Sequence, residues 1–230
     1  MNNDKSHFLK SLLISLIFII AMWAVKLIEY SQNFDFSEWG ILPLKGAGLI
    51  GIITAPFIHE NFQHLISNSI PFFLLMLTLL YFYKGISGRV LILIWLVDGL
   101  CVWLSGRDAY HIGASGIVYG MASFLFFSGI LRRDSRLAAI TLVIAFLYGS
   151  MIWGVFPDFF PGKNISFEAH LWGLIAGVVF AIFYRKQGPQ RLRYSWELEE
   201  EVPEELNENQ TPSDIYWSGP NNFEDFIFKL

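Results

Sequence analysis

Six runs of apolar residues constrain this chain more than any other feature: Phe8–Ile28, Leu65–Tyr83, Val90–Leu104, Ile117–Leu131, Leu137–Val155 and Leu171–Tyr184. A bilayer core about 30 Å thick takes about 20 helical residues, with about 17 at the short end. No water inside that core can bond a bare backbone, so chain that crosses it must close its own hydrogen bonds, as a helix does. The expectation is an all-α, polytopic membrane protein built as a bundle of six transmembrane helices. Composition agrees, with 54% hydrophobic and 16% charged residues in 230, against about 45–50% and about 25% in soluble domains. This excludes a disordered chain, a collagen, a nucleic-acid-binding module and most soluble enzymes. The one cysteine, Cys101, excludes a disulfide framework and a cysteine-based zinc site. The first run does not read as a cleaved leader, because its apolar part is long and Ala21-Met22-Trp23 makes a poor cleavage site.

Charge is unevenly divided. From Glu197 to Leu230 ten acids face one base, a net of −9, which leaves +5 for the rest of a chain whose formal charge is −4. Lys5, Lys10, Lys84, Arg89, Arg132, Arg133, Arg136, Arg185, Lys186, Arg191 and Arg193, eleven bases, flank the runs on one side. Lys26, Lys45, Arg107 and Lys163, four bases, flank them on the other. The positive-inside bias then predicts an even number of spans and both termini in the cytoplasm, most simply across a bacterial inner membrane. Residues 1–186 are expected to form the bundle, and 187–230 an acidic tail, broken by Pro203, Pro212 and Pro220, that lacks a packed core. The outer segment Tyr30–Asn61 is apolar but interrupted by Pro43, Gly46, Gly48, Gly51 and Pro56, so it is expected to lie in the interface plane rather than to span.

Polar residues inside such runs are costly and point to function. Three clusters stand out, all at the outer ends of spans. His59, His64 and Asn68 enter the second span, with His64 and Asn68 four apart on one helix face. Taken alone, they also fit a helix-entry histidine and an amide that joins two helices. Gly113-Ala114-Ser115-Gly116, followed by Tyr119 and Gly120, puts Ser115 near a helix N-terminus, where free backbone N–H groups stabilise an anion. Taken alone, that cluster also fits small-residue helix packing. Ala169-His170 precedes Gly173 and Gly177, which open a helix face to close approach. A neutral histidine bonded to a carbonyl explains that cluster equally well. Together the three say more. Two glycine-faced helices pack closely, one carrying Ser115 and the other His170, and a hydroxyl needs such a base to become a nucleophile. The oxyanion it generates needs donors, and Asn68, His64 and the Ser115 N–H are at hand. No cofactor or metal is called for.

In their order and spacing these motifs resemble the rhomboid intramembrane serine proteases, over roughly Lys10 to Lys186. The resemblance implies a six-helix bundle holding a Ser–His dyad in a water-filled cavity below the outer surface. Ser115 would be the nucleophile and His170 the general base, with Asn68 and His64 lining the oxyanion hole. Tyr119 would pack under the His170 ring, and the segment between the first two spans would be the family's in-plane loop. The substrates would be transmembrane proteins, met in the lipid bilayer. Many members carry a Trp-Arg pair in that loop, where this chain reads Leu49-Ile50-Gly51. The dyad needs no third acid, and Glu168 is expected to face outward. Asp98, inside the third span, is expected to cap a polar contact within the bundle. A rhomboid-like protein that binds membrane helices without cutting them is the rival reading. A channel or proton-coupled transporter using the histidines and Asp98 is a third, but it needs a polar path through the whole bilayer.

Overall fold

The computed structural model describes residues 2–133, 139, 141–143 and 166–188, all within the first of the two units, Met1–Arg191 and Leu192–Leu230, into which the chain divides. The helices are α1 (Asn2–Gln32), α2 (Gly51–Thr54), α3 (Phe62–Phe82), α4 (Ser87–Ser105), α5 (Ser115–Leu131) and α6 (Phe167–Phe183), with short 3-10 turns at Ser37–Trp39, Gly46–Leu49 and Ala55–Phe57. Five of the six apolar runs are helices of this all-helical membrane bundle. Most of the fifth run, all but 139 and 141–143, and the acidic tail beyond 188 lie outside the described residues. The helices α1, α3 and α4 are long and apolar enough to cross a bilayer, and α5 and α6 are shorter apolar helices of 17 residues each, or about 26 Å at the helical rise.

Helices α3 and α6 begin earlier than their apolar runs because polar residues cap them. Asn61 accepts the His64 N–H at 2.8 Å and starts α3. Ser166 accepts the Ala169 N–H at 3.4 Å and starts α6 four residues before Leu171. That early start places His170 in the first turn of a helix. No side chain caps α5, which begins at Ser115 itself.

Helix α5 is the axis of the bundle. Ile117, Met121, Phe124 and Leu125 are buried against Leu65, Phe72, Leu75 and Leu79 of α3 and Ile94 of α4. Its other face meets α6 backbone to backbone. A Cβ on Gly173 would land on the Gly116 carbonyl, and one on Gly177 would land on the Gly120 carbonyl and the Ser123 hydroxyl. Ser123 Oγ donates to the Leu174 carbonyl at 2.9 Å across the same seam. Large apolar side chains such as Leu13, Ile17 and Ile20 of α1 and Val179, Ile182 and Phe183 of α6 stay exposed, as a lipid-facing surface requires.

Between α1 and α3 the chain lies along α4. Trp95 Nε1 donates to the Ile52 carbonyl at 2.7 Å, Trp103 Nε1 to the Lys45 carbonyl at 3.0 Å, and the Leu44 N–H to the Trp103 carbonyl at 2.9 Å. Phe34, Trp39, Leu44, Ile50 and Ile53 point outward from it. Lys26, at the end of α1, is buried there and donates to Glu29 Oε2 at 2.6 Å and to the carbonyls of His59 and Glu60, each at 2.9 Å. At the opposite end Lys84 pairs with Asp4 at 3.0 Å, and Arg132 reaches the last turn of α6.

Candidate active site

The glycine seam brings the first residue of α5 beside the first turn of α6. His170 Nε2 lies 2.8 Å from Ser115 Oγ. His170 is buried and Ser115 is half-buried. The Tyr119 ring, one turn along α5, stacks on the imidazole with centroids 4.2 Å apart and planes at 17°. Stacking fixes the plane of the histidine, so the nitrogen that meets the hydroxyl cannot swing away freely.

The approach to Ser115 is set by Gly113, whose φ of +109° suits glycine. A Cβ there would sit 2.9 Å from His64 Nε2 and 3.8 Å from Asn68 Nδ2. The bare glycine is therefore what lets those two side chains stand over the turn that leads to the serine. Its own N–H donates to the Ala55 carbonyl at 2.9 Å, tying the turn to the α1–α3 segment. Asn68 Nδ2 also donates to the His64 carbonyl at 3.2 Å, which orients the amide. Ser115, His170, Tyr119, Gly113, Gly116, His64 and Asn68 thus share one place, with Gly173 and Gly177 as the seam beneath it.

The rhomboid domain model matches residues 47–187, more than half of the chain. The chain belongs to the rhomboid family. It is 37% identical over 184 residues to an uncharacterized protein of Mycobacterium tuberculosis, spanning 76% of this chain and 75% of that one. A Mycobacterium leprae counterpart is 34% identical over 184 residues, 76% of this chain and 71% of the other. The Bacillus subtilis protein YdcA, whose name assigns it provisionally to the rhomboid proteases, is 25% identical over 179 residues, 70% of this chain and 75% of its own.

His59 stands behind this rhomboid's site rather than in it. Its ring is 1% exposed and 5.1 Å from the His64 ring, and neither ring nitrogen has a hydrogen-bond partner among the described residues. Burial, and then the neighbouring His64, push its imidazole down to about 3, so it stays neutral. Asp98 is buried under the start of α5: a Cβ on Gly116 would collide with its carboxylate, which faces the Gly173 backbone N–H. It therefore makes a polar contact within the bundle, although its Oδ1 has no partner among the described residues. Glu168 does not face outward as expected. Its carboxylate turns onto Arg107 at 3.1 Å, because the connection into α5 passes over the start of α6. Sequence reasoning missed His111, which is 3% exposed, and the buried Lys26–Glu29 pair. The signal available for His111 was its place four residues before Ser115, in a connection of only nine residues between α4 and α5.

Proposed function

We propose that this protein is an intramembrane serine endopeptidase that cuts transmembrane segments of membrane proteins. The observation that carries the reading is the 2.8 Å approach of His170 Nε2 to Ser115 Oγ at the junction of two helices that side-chain-bearing residues would force apart. In the tautomer this requires, the Ser115 hydroxyl donates to the Nε2 lone pair. As Oγ attacks the scissile carbonyl carbon, its proton passes to Nε2, and the imidazolium then gives that proton to the leaving amine. The tetrahedral oxygen gains negative charge in the transition state. His64, Asn68 and the uncapped N-terminus of α5, Ser115 N–H included, are the donors arranged to meet it. No metal takes part in this scheme.

The test is Ser115→Ala and His170→Ala in detergent-solubilised protein with a helical membrane substrate. Each should abolish cleavage, the double variant should be no worse than either single, and EDTA should leave the wild type unaffected. A fluorophosphonate should label Ser115 in the wild type and not in His170→Ala. A wild-type protein that binds the helix but never cuts or labels would instead be a non-proteolytic family member.

We infer from the eleven-to-four division of bases that both termini lie in the cytoplasm, and from the bacterial relatives that the membrane is a bacterial inner membrane. A reporter fused after Asp108 should read as external and one after Arg133 as cytoplasmic. Opposite readings would invert the orientation. We also infer that 1–186 is the protease domain and 187–230 an appended acidic tail. Removal of 189–230 should leave cleavage intact.

A further inference from the structure

His111 ties three segments of the site together. It lies in the 106–114 connection, and its backbone pairs with the α1–α3 segment: the Ile41 N–H donates to the His111 carbonyl at 2.9 Å and the His111 N–H to the Ile41 carbonyl at 2.8 Å. The ring lies 3.1 Å from the Arg107 carbonyl through Nε2 and 2.6 Å from Ser166 Oγ through Nδ1. A carbonyl oxygen only accepts, so Nε2 carries the proton. Nδ1 then presents a lone pair, and the Ser166 hydroxyl donates to it. The same Oγ accepts the Ala169 N–H, and the Ser166 carbonyl accepts the His170 N–H at 3.3 Å. Gly106 makes room for the ring, since a Cβ there would sit 2.9 Å from His111 Nε2. An unbroken chain of bonds therefore runs from the segment that leads into Ser115, through an imidazole and a hydroxyl, to the helical turn that bears His170.

We propose that His111 is a positioning residue for the Ser115–His170 pair: its neutral ring accepts the Ser166 hydroxyl proton and so fixes the first turn of α6 against the segment carrying Ser115. The proposal rests on the protease reading above. It also makes the direction of that bond depend on pH. Among the described residues, the charged and titratable groups around the ring are Glu168 of α6, whose Oε2 is 3.9 Å from Nδ1, Arg107, which pairs with Glu168, and Asp98 of α4, which lines the same cavity of about 20 Å³. Burial pushes the imidazole below its ordinary 6.5, while the Arg107 carbonyl and Glu168 push it back. The neutral form prevails above the folded-state pKa. As pH falls through it, Nδ1 gains a proton and the bond reverses: Nδ1–H donates to the second lone pair of Ser166 Oγ, and the hydroxyl proton turns away from the ring.

The experiment uses the full-length protein in detergent, with the substrate and the fluorophosphonate above. His111→Phe and Ser166→Ala should each lower kcat about 10- to 100-fold, the scale of a misplaced catalytic group, with KM changed less than twofold. The double variant should be no worse than the worse single. Ser166→Thr keeps the hydroxyl and His111→Asn keeps an acceptor oxygen near the Nδ1 position, so both should recover most of the loss. Histidine-selective 15N NMR of the wild type should read His111 as the Nε2–H tautomer, with its shift altered in Ser166→Ala. A wild type that neither cuts nor labels overturns the protease reading and this proposal with it. A wild type that cuts, with Ser166→Ala and His111→Phe equally fast per folded molecule or His111 in the Nδ1–H form, overturns the positioning role alone.

Discussion

The two ends of the bundle are tied by different kinds of polar contact. At the Ser115 end, side chain meets side chain: Ser115 with His170 at 2.8 Å, His111 with Ser166 at 2.6 Å. At the far end, Arg132 donates into fixed acceptors: Ser128 Oγ at 2.8 Å, the Tyr184 carbonyl at 2.7 Å and the Gln187 carbonyl at 2.5 Å, with its guanidinium 5.4 Å over the Tyr83 ring. An imidazole gains or loses its proton near neutral pH. A guanidinium does not, even where burial pushes it down, as it does Arg132. One end is built to change state and the other to hold, and α5 connects them through a seam without side chains.

The largest expected contrast separates activity from stability. Ser115→Ala should remove at least about 10⁴-fold of the cleavage rate while leaving the unfolding midpoint in place. Arg132→Met should do the reverse. It strips several buried acceptors of their donor, at about 1–3 kcal/mol for each one left unsatisfied, but activity per folded molecule should persist. If Arg132→Met also slows cleavage per folded molecule, the ends are coupled and the contrast fails. Asn68→Ala comes next. Loss of one oxyanion donor costs about 10²–10³ in rate where the others do not compensate, and with His64 and a backbone N–H beside it the loss should fall at or below that range. Unchanged kcat would remove Asn68 from the role.

The seam itself offers a smaller effect that should move both measures together. Gly173→Ala places a methyl against the Gly116 carbonyl, and overpacking of this kind costs about 1–3 kcal/mol. Thermal stability and cleavage should both fall, because the shift that relieves the clash parts Ser115 from His170. Stability lost without activity would show that the dyad does not depend on this contact. The last effect is a slope, small at any one pH near neutrality. His59 is held to about 3 in the folded protein, against about 6.5 in an unfolded chain. Between those values the unfolded chain binds a proton that the folded one refuses, so stability should fall as pH drops through the window, by up to about 1.4 kcal/mol per pH unit. In His59→Phe the pH dependence of the unfolding midpoint should flatten over that range.

The parts legible in sequence were those whose chemistry repeats at helical spacing. Glycines at 116 and 120 and at 173 and 177 announce a helix contact, because a backbone approach tolerates nothing larger. The apolar runs announce the helices; the starts of α3 and α6 lie before their runs because Asn61 and Ser166 cap from outside them, and α1 continues to Gln32, past its run. What stayed hidden depended on partners distant in the chain. His111 and Ser166 are 55 residues apart, and neither sits in an apolar run, so each reads as an ordinary loop residue. Lys26 and Arg132 counted as signs of orientation, but both are buried and bonded, a use that counting charges cannot reveal. Glu168 reads as a surface acid until Arg107 is brought over it by the fold.

The indoles of Trp95 and Trp103 carry a practical consequence. Both hold the α1–α3 segment to α4 through their ring N–H groups, at 2.7 Å and 3.0 Å. An indole that exchanges a carbonyl for water changes its excited-state surroundings, and its emission moves with them. Read as the difference between the wild type and each Trp→Phe variant, since the chain has eight tryptophans, these two side chains are a built-in optical gauge. Lifting of the segment beside the serine would register as a wavelength shift without any attached dye, and Trp95→Phe and Trp103→Phe would tell which contact parts first.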